Sequence, residues 1–357
     1  MTLLDKLKGD PDSASARTPE ALLDDPPRVV VTGDVPVGHR VCHAAGLDDP
    51  PVQVVGLRKE YGAHVAVSEV DLEVRRGEVF ALLGPNGAGK TVTMEILVGV
   101  RRRTSGSVRV LGEDPGSDRR AWRNRLGVVP QTTGEYLDLT VREVVTHFAA
   151  FYANPIPTDE LLDRVGLTAK AKAQATALSG GQKRRLDVAV GVVGRPELIF
   201  LDEPTTGLDP EARHEAWQLV EYFRALGTTT VLTTHYLDEA EALADRAGII
   251  ADGRMLQVGT IPELAARAGG GTSIRFATIG EAAAVVPASL GRVSTQPGVT
   301  DPAETTTVVA TEQPTEALTL LIAWARSLGQ PELPGLTVHR PTLEDTYLRL
   351  INQRERT

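Results

Sequence analysis

The 357 residues carry a formal net charge of -9 and a single cysteine, Cys42. That length allows one large or two ordinary domains with ample core, the acidic balance argues against a nucleic-acid partner, and a lone cysteine excludes an internal disulfide and fits a reducing compartment. No apolar run approaches the ~18–20 residues of a membrane-spanning helix and Met1 to Asp12 is too charged for a signal peptide, so any membrane role is expected to run through another chain.

Residues 1–49 are rich in proline and aspartate, as in Asp24-Asp-Pro-Pro27 and Asp48-Asp-Pro-Pro51, and are expected to form a disordered tail. His39, Cys42 and His43 stand there at metal-like spacing, but no second Cys/His pair follows, so no metal site is expected. Ordered sequence begins with a strand at Val52 to Leu57, followed by Tyr61-Gly62. Val79 to Leu83 is a short apolar run that reads as a buried strand. It leads into Gly84-Pro-Asn-Gly-Ala-Gly-Lys-Thr91, which fits G-x-x-x-x-G-K-[ST], and a helical stretch opens at Lys90. Gly84, Gly87 and Gly89, with Asn86 and Ala88 between them, let the backbone wrap closely around phosphate oxygens with its N–H groups pointing inward. Lys90 brings mobile positive charge to the β- and γ-phosphates, and Thr91 offers a hydroxyl to Mg²⁺.

Ser107 to Leu111 and Leu126 to Pro130 read as further strands, the second leading into Gln131. From Gln131 to Gly194 the pattern turns helical, with helices expected at Leu139 to Tyr152, Asp159 to Val165 and Lys183 to Val193. The last follows Leu178-Ser-Gly-Gly-Gln182, which therefore stands at a helix start, where unpaired N–H groups and the positive dipole end suit a phosphate. Leu198 to Leu201 is an apolar strand that delivers Asp202 and Glu203 at its C-terminal end, where ligand chemistry belongs in a parallel sheet. Adjacent carboxylates make sense as two expected jobs, Asp202 to order a Mg²⁺ shell and Glu203 to polarise an attacking water. Gly207-Leu-Asp209 follows, then a β-branched strand from Thr228 to Thr234 that ends at His235, and a hairpin from Ile249 to Val258 about Asp252-Gly253. Beyond Gly269-Gly-Gly271 the strands Ser273 to Thr278, Thr306 to Ala310 and Leu336 to His339, with helices Thr315 to Ser327 and Leu343 to Ile351, describe a small α/β appendage without a chemical motif.

In this order, from about Val52 to Leu264, the motifs resemble the ATP-binding cassette (ABC) family. The resemblance implies an α/β fold: a P-loop NTPase cassette with a mostly parallel sheet core, antiparallel β and helical subdomains, and a small C-terminal α/β appendage. The expected division is 1–49 tail, 50–268 ATP-binding domain and 269–357 accessory domain. ATP and Mg²⁺ are the implied cofactors. Tyr61 stands where the family carries an aromatic that stacks on adenine. Gln131 resembles the Q-loop glutamine that senses Mg²⁺ and the γ-phosphate, and His235 the switch histidine that contacts the γ-phosphate. With Glu203 these are the expected catalytic residues, and Thr91, Gln131 and Asp202 the expected metal shell. Ser179, Gly180, Gly181 and Gln182 form the family signature, which completes the ATP site of a second copy, and Asp209 belongs to the D-loop that communicates across that interface.

Three further stretches are similar to bacterial drug-export ATPases of the daunorubicin-resistance type: Arg184-Arg-Leu-Asp187, Leu232-Thr-Thr-His-Tyr-Leu-Asp-Glu239 and Arg340-Pro-Thr-Leu-Glu-Asp-Thr-Tyr347. The implied protein is an ATP-hydrolysing subunit, peripheral to the cytoplasmic side of the cell membrane, that works as a homodimer or beside a second cassette. It would drive a separately encoded transmembrane permease for drug, antibiotic or lipid-like cargo, docking through Thr132 to Thr140, where Gly134-Glu-Tyr-Leu-Asp138 reads as an exposed loop. No nucleic-acid partner is expected. The rival, a soluble ABC ATPase acting on ribosomes or DNA, would bring a second cassette, long coiled coils or a zinc module, and the sequence has none of these. Val92 departs from the family, which usually has a second Thr there; the missing hydroxyl is expected to cost about 0.5–1.5 kcal/mol of nucleotide binding.

Overall fold

The computed structural model describes residues 49–117, 119–132, 136, 138–267, 271–282, 285–297 and 305–355. The expected tail up to residue 48, with His39, Cys42 and His43, lies outside the described residues, as do Gly134, Glu135 and Leu137 of the expected docking loop.

The cassette begins with strands β1 (Val52–Tyr61) and β2 (His64–Val74), an antiparallel hairpin turning at Gly62. Strand β3 (Val79–Leu83) and helix α1 (Lys90–Leu97) follow, then β4 (Ser105–Val110), antiparallel to β1, the short α2 (Arg120–Arg123) and β5 (Leu126–Val129). Helices α3 (Val141–Ala149), α4 (Thr158–Arg164) and α5 (Gly180–Val192) make up the helical stretch. Strand β6 (Leu198–Asp202), helix α6 (Pro210–Ala225), β7 (Thr229–Thr234), α7 (Leu237–Leu243), β8 (Arg246–Ala251), β9 (Arg254–Thr260) and α8 (Ile261–Ala266) complete it.

One sheet runs through all of this in the order β4-β1-β2-β9-β8-β3-β7-β6-β5. From β8 to β5 the neighbours are parallel, whereas β1 pairs antiparallel with β2 and β4, and β8 with β9. The sequence accounts for the difference. Every residue of β3, β6 and β7 is buried, as strands covered on both faces must be, and the three are apolar or β-branched except for Asp202, the last residue of β6. In β2 the pattern alternates instead, with Val70, Leu72 and Val74 buried and Glu69, Asp71 and Glu73 exposed. Two cores lie against the sheet. Leu83, Val129 and Leu201 pack with Val145, Leu161 and Leu186, and Phe80, Leu82 and Phe200 pack with Met94, Ile96 and Trp122. Phe200 is fully buried, so truncating it to Ala should cost about 3–5 kcal/mol. These two layers hold the C-terminal ends of β3, β6 and β7 side by side, and the site is built there.

Beyond α8 a separate antiparallel sheet appears, in the order β11-β12-β10-β13, formed by β10 (Thr272–Ala277), β11 (Arg292–Pro297), β12 (Thr305–Thr311) and β13 (Thr337–His339). Helix α9 (Pro314–Ser327) covers it through Ala317, Leu321 and Ala325, which pack on Ile274, Phe276 and Val309. The last helix, α10 (Leu343–Glu355), packs elsewhere. Leu343 is fully buried in the cassette core; its N–H donates to Glu241 Oε1 at 3.0 Å, and Thr346 Oγ1 donates to the Leu264 carbonyl. Within the stretch 269–357 the small sheet and α9 therefore have their own core, while α10 returns to α7 and α8.

Candidate active site

Gly84 to Thr91 joins the buried end of β3 to the start of α1, as the strand–glycine loop–helix order requires. Gly89 caps the helix at φ 99°, a left-handed conformation, and a Cβ there would lie 2.7 Å from the Ala66 carbonyl, so no other residue fits. Having no side chain, Gly89 also leaves the first-turn N–H groups of α1 to a ligand. Lys90 is only 4% exposed. Its ammonium donates to the carbonyls of Gly84 at 2.8 Å and Pro85 at 3.2 Å and lies 3.6 Å from Glu203 Oε1. Burial pulls its pKa down and the Glu203 charge pushes it back up.

The strand-end carboxylates sit beside this loop. Asp202 Oδ1 accepts from Thr233 Oγ1 at 2.5 Å and from Thr91 Oγ1 at 3.4 Å. Burial raises the Asp202 pKa, and the Thr233 and Thr91 bonds oppose it. Glu203, 7% exposed, is the meeting point of three distant segments. Gln131 Nε2 donates to its Oε2 at 3.0 Å, Thr206 Oγ1 to the same atom at 3.1 Å, and His235 Nδ1 lies 3.4 Å from Oε1. Gln131 follows β5, Glu203 follows β6 and His235 follows β7, so adjacent parallel strands deliver all three to one edge.

Ser179 and Asp209 line a different cavity, of about 350 Å³, together with Gly181, Gln182, Gly207 and Leu208; no residue of Gly84 to Thr91 lines it. Ser179 is the N-cap of α5. Its hydroxyl accepts from the Gln182 N–H, and the Gln182 amide oxygen accepts from the Ser179 N–H at 3.1 Å, a reciprocal capping box. Asp209 caps α6 one way only, accepting from the Ala212 N–H at 2.8 Å, with Pro210 at the first helical position. Gly180 has no atom within 4 Å of where a Cβ would stand.

Tyr61 ends β1 and is 39% exposed, with Lys59 Nζ 4.8 Å and Arg101 Cζ 5.5 Å from its ring centre and the Arg101 guanidinium donating to its hydroxyl. Tyr136 behaves otherwise than an exposed docking loop predicts. Its hydroxyl donates to Asp187 Oδ1 at 2.7 Å, its ring packs edge-on against Phe148, and burial drives its pKa well above the usual tyrosine range. Thr206 and Thr233 escaped the sequence reading, although the parallel register of β6 and β7 pairs Asp202 with Thr233 directly.

A family profile described as "ABC transporter" matches residues 67–206. The linearmycin resistance ATP-binding protein LnrL of Bacillus subtilis is 33% identical over 306 residues, 84% of this chain and 97% of that protein. The daunorubicin resistance ATP-binding protein DrrA3 of Streptomyces coeruleorubidus is 36% identical over 313 residues, 85% of this chain and 96% of that one. The Nod factor export ATP-binding protein I of Ralstonia nicotianae is 43% identical over 221 residues, 60% of this chain and 68% of that one. Among solved structures, an ATP-binding subunit of an ABC transporter is 28% identical with a TM-score of 0.55, covering 60% of this chain and 92% of its own. A dimeric cassette bound to ADP and Pi shares the fold at 24% identity and a TM-score of 0.53, covering 58% of this chain and 98% of its own. Matched along nearly the whole of its drug-resistance relatives, and carrying the loop, strand ends and helix caps described above, the chain belongs to the ABC transporter family, among its ATP-binding ATPase subunits.

Proposed function

We propose that this chain hydrolyses ATP to power export through a separate transmembrane permease. The observation that carries the reading is the convergence of Lys90, Gln131 and His235 on the Glu203 carboxylate. Such a group, held next to a phosphate cradle, is suited to polarise a water for attack on the γ-phosphate. A triphosphate would take over the Lys90 ammonium from the Gly84 and Pro85 carbonyls and lie along the N–H groups of Gly87 to Thr91, of which that of Ala88 now donates to the Pro85 carbonyl at 3.2 Å. Adenine would stack on Tyr61, and Gln131 and His235 would meet the γ-phosphate.

The donor set suits Mg²⁺. The Thr91 hydroxyl and Asp202 carboxylate are hard oxygen ligands 3.4 Å apart, with Gln131 nearby as a third. Among the described residues no three His, Cys, Asp or Glu gather into a metal cage, which fits an ion held by few side chains and completed by waters and phosphate oxygens. When bound, Mg²⁺ would neutralise charge developing on the phosphates.

Ser179, Gly181 and Asp209 would serve the ATP of a second copy, because their cavity is lined without the phosphate loop. Relatives described by linearmycin resistance, daunorubicin resistance and Nod factor export support a small drug-like or lipid-like cargo. Among the described residues no helix is long and apolar enough to cross a membrane; the export and resistance relatives support a place for this chain at the cytoplasmic face, beside its permease. Co-expression with the adjacent membrane protein tests this. The chain should move into the membrane fraction only when that protein is present, and its ATPase should then respond to candidate cargo. Recovery with ribosomes or DNA in place of membranes would overturn the reading.

A further inference from the structure

Helix α5 begins at the Ser179 cap, and farther along it Arg184 is 6% exposed, uncommon for a guanidinium. Its fork donates to three main-chain carbonyls: Nε to Pro204 at 2.9 Å, Nη2 to Asp202 at 2.9 Å, and Nη1 to Pro130. Asp202 and Pro204 are the two chain neighbours of Glu203, and Pro130 is the neighbour of Gln131. Glu203 itself stands at φ 45°, in the left-handed region that a residue with a side chain keeps only when its surroundings hold it there. Its N–H is held by the Thr233 carbonyl at 3.1 Å and the Thr233 hydroxyl at 3.0 Å, and the carbonyls on either side are held by Arg184. A planar fork with five donors can serve three carbonyls that converge on one spot, whereas an ammonium is a point charge. Burial works against the guanidinium charge, and Asp187, Asp202 and Glu239 support it.

We infer that Arg184 is a positioning residue for hydrolysis, fixing the turn that presents Glu203 against the start of the Gln131 loop. It does so from the helix whose first turn carries Ser179 and Gly181, so displacement of that turn reaches Glu203 through one side chain. The inference rests on the proposed role of Glu203 in polarising water.

The test uses the full chain and compares steady-state hydrolysis, affinity for a fluorescent ATP analogue and Tm in Arg184→Met, Arg184→Lys, Glu203→Gln and the Arg184→Met, Glu203→Gln double variant. Misplacing the turn should lower kcat of Arg184→Met by about 10–100-fold with nucleotide affinity within about 3-fold, and Arg184→Lys, which keeps the charge but not the fork, should also fall. Added to Glu203→Gln, Arg184→Met should lower the residual rate by less than about 3-fold, because residues acting as one unit do not multiply. Should Arg184→Met lose its native Tm, Arg184→Lys and its double variant with Glu203→Gln carry the same comparison. Wild-type kcat in both Arg184 variants, full multiplication in the double variant, or loss of the fold in both would overturn the inference. Full activity of Glu203→Gln would instead overturn the role given to Glu203.

Discussion

Lys90 and Glu203 are 4% and 7% exposed, and their polar atoms are engaged from within the chain by Gly84, Pro85, Gln131 and Thr206. Ser179 and Gly180, at the start of α5, are exposed; the serine hydroxyl caps its own helix and the glycine faces open space. The first region is a site whose dipoles are fixed before a substrate arrives, the condition under which electrostatic stabilisation is strongest. The second is a helix N-terminus aimed outward, with the field and N–H groups that favour an anion. A cassette that kept both halves in one chain would have to bring them together; here the cavity at the start of α5 is lined without any residue of Gly84 to Thr91, as a site shared between two copies requires.

The largest effect expected from this contrast lies in the closed half. Glu203→Gln keeps the shape and the Gln131 contact but removes the carboxylate, so turnover should fall by about 10²–10⁴-fold. Nucleotide binding should survive, because Lys90 retains the Gly84 and Pro85 carbonyls until phosphate replaces them. Steady-state kinetics and an ATP titration on one preparation separate the two quantities, and near-normal turnover would break the assignment of chemistry to this half.

A mixing experiment addresses the open half. Lys90→Ala removes the phosphate-loop charge and Ser179→Arg puts a long side chain into the outward-facing helix start, so each homodimer should be nearly inactive. In a mixed dimer both lesions fall on one composite site and the other is left whole, so the mixture should hydrolyse ATP faster than either variant alone. Absence of rescue with heterodimers demonstrated by affinity tagging would mean that the exposed region serves its own chain.

The two regions also differ in how far the sequence revealed them. Glycine spacing, the all-apolar runs of β3 and β6 and the Ser179–Gln182 cap are local signals, so the loop, the strand ends and the helix start could be read in order. The convergence on Glu203 could not, since Gln131 is 72 residues away and the meeting depends on the strand order β7-β6-β5. Strand β2 was missed as the partner of β1, because its first half, His64 to Glu69, lacks the alternation that its second half shows. Helix α6 was missed although its signals are local: Ala216, Leu219, Val220 and Phe223 stand at i, i+3, i+4 and i+7 behind the Asp209 cap and Pro210. Tyr136 read as exposed because Gly134, Glu135 and Asp138 stand around it; Asp187, which draws it inward, lies 51 residues on. The return of α10 to Leu264 and Glu241 is likewise a long-range packing fact with no trace in local periodicity.

The smallest expected effect sharpens the comparison most, because Asp209 belongs to the open region and yet has a structural task. Its carboxylate accepts from the Ala212 N–H and caps α6. Asp209→Ala should therefore destabilise the chain by about 0.5–2 kcal/mol, measured as a lower denaturation midpoint, while Asp209→Asn, an equally good cap, should restore that stability. Hydrolysis then separates the two roles. If Asp209 only caps its helix, Asp209→Asn recovers rate along with stability. If it is also read by a second copy, as the proposed shared site requires, the neutral amide restores the fold but leaves turnover below wild type even at protein concentrations at which the dimer is fully formed.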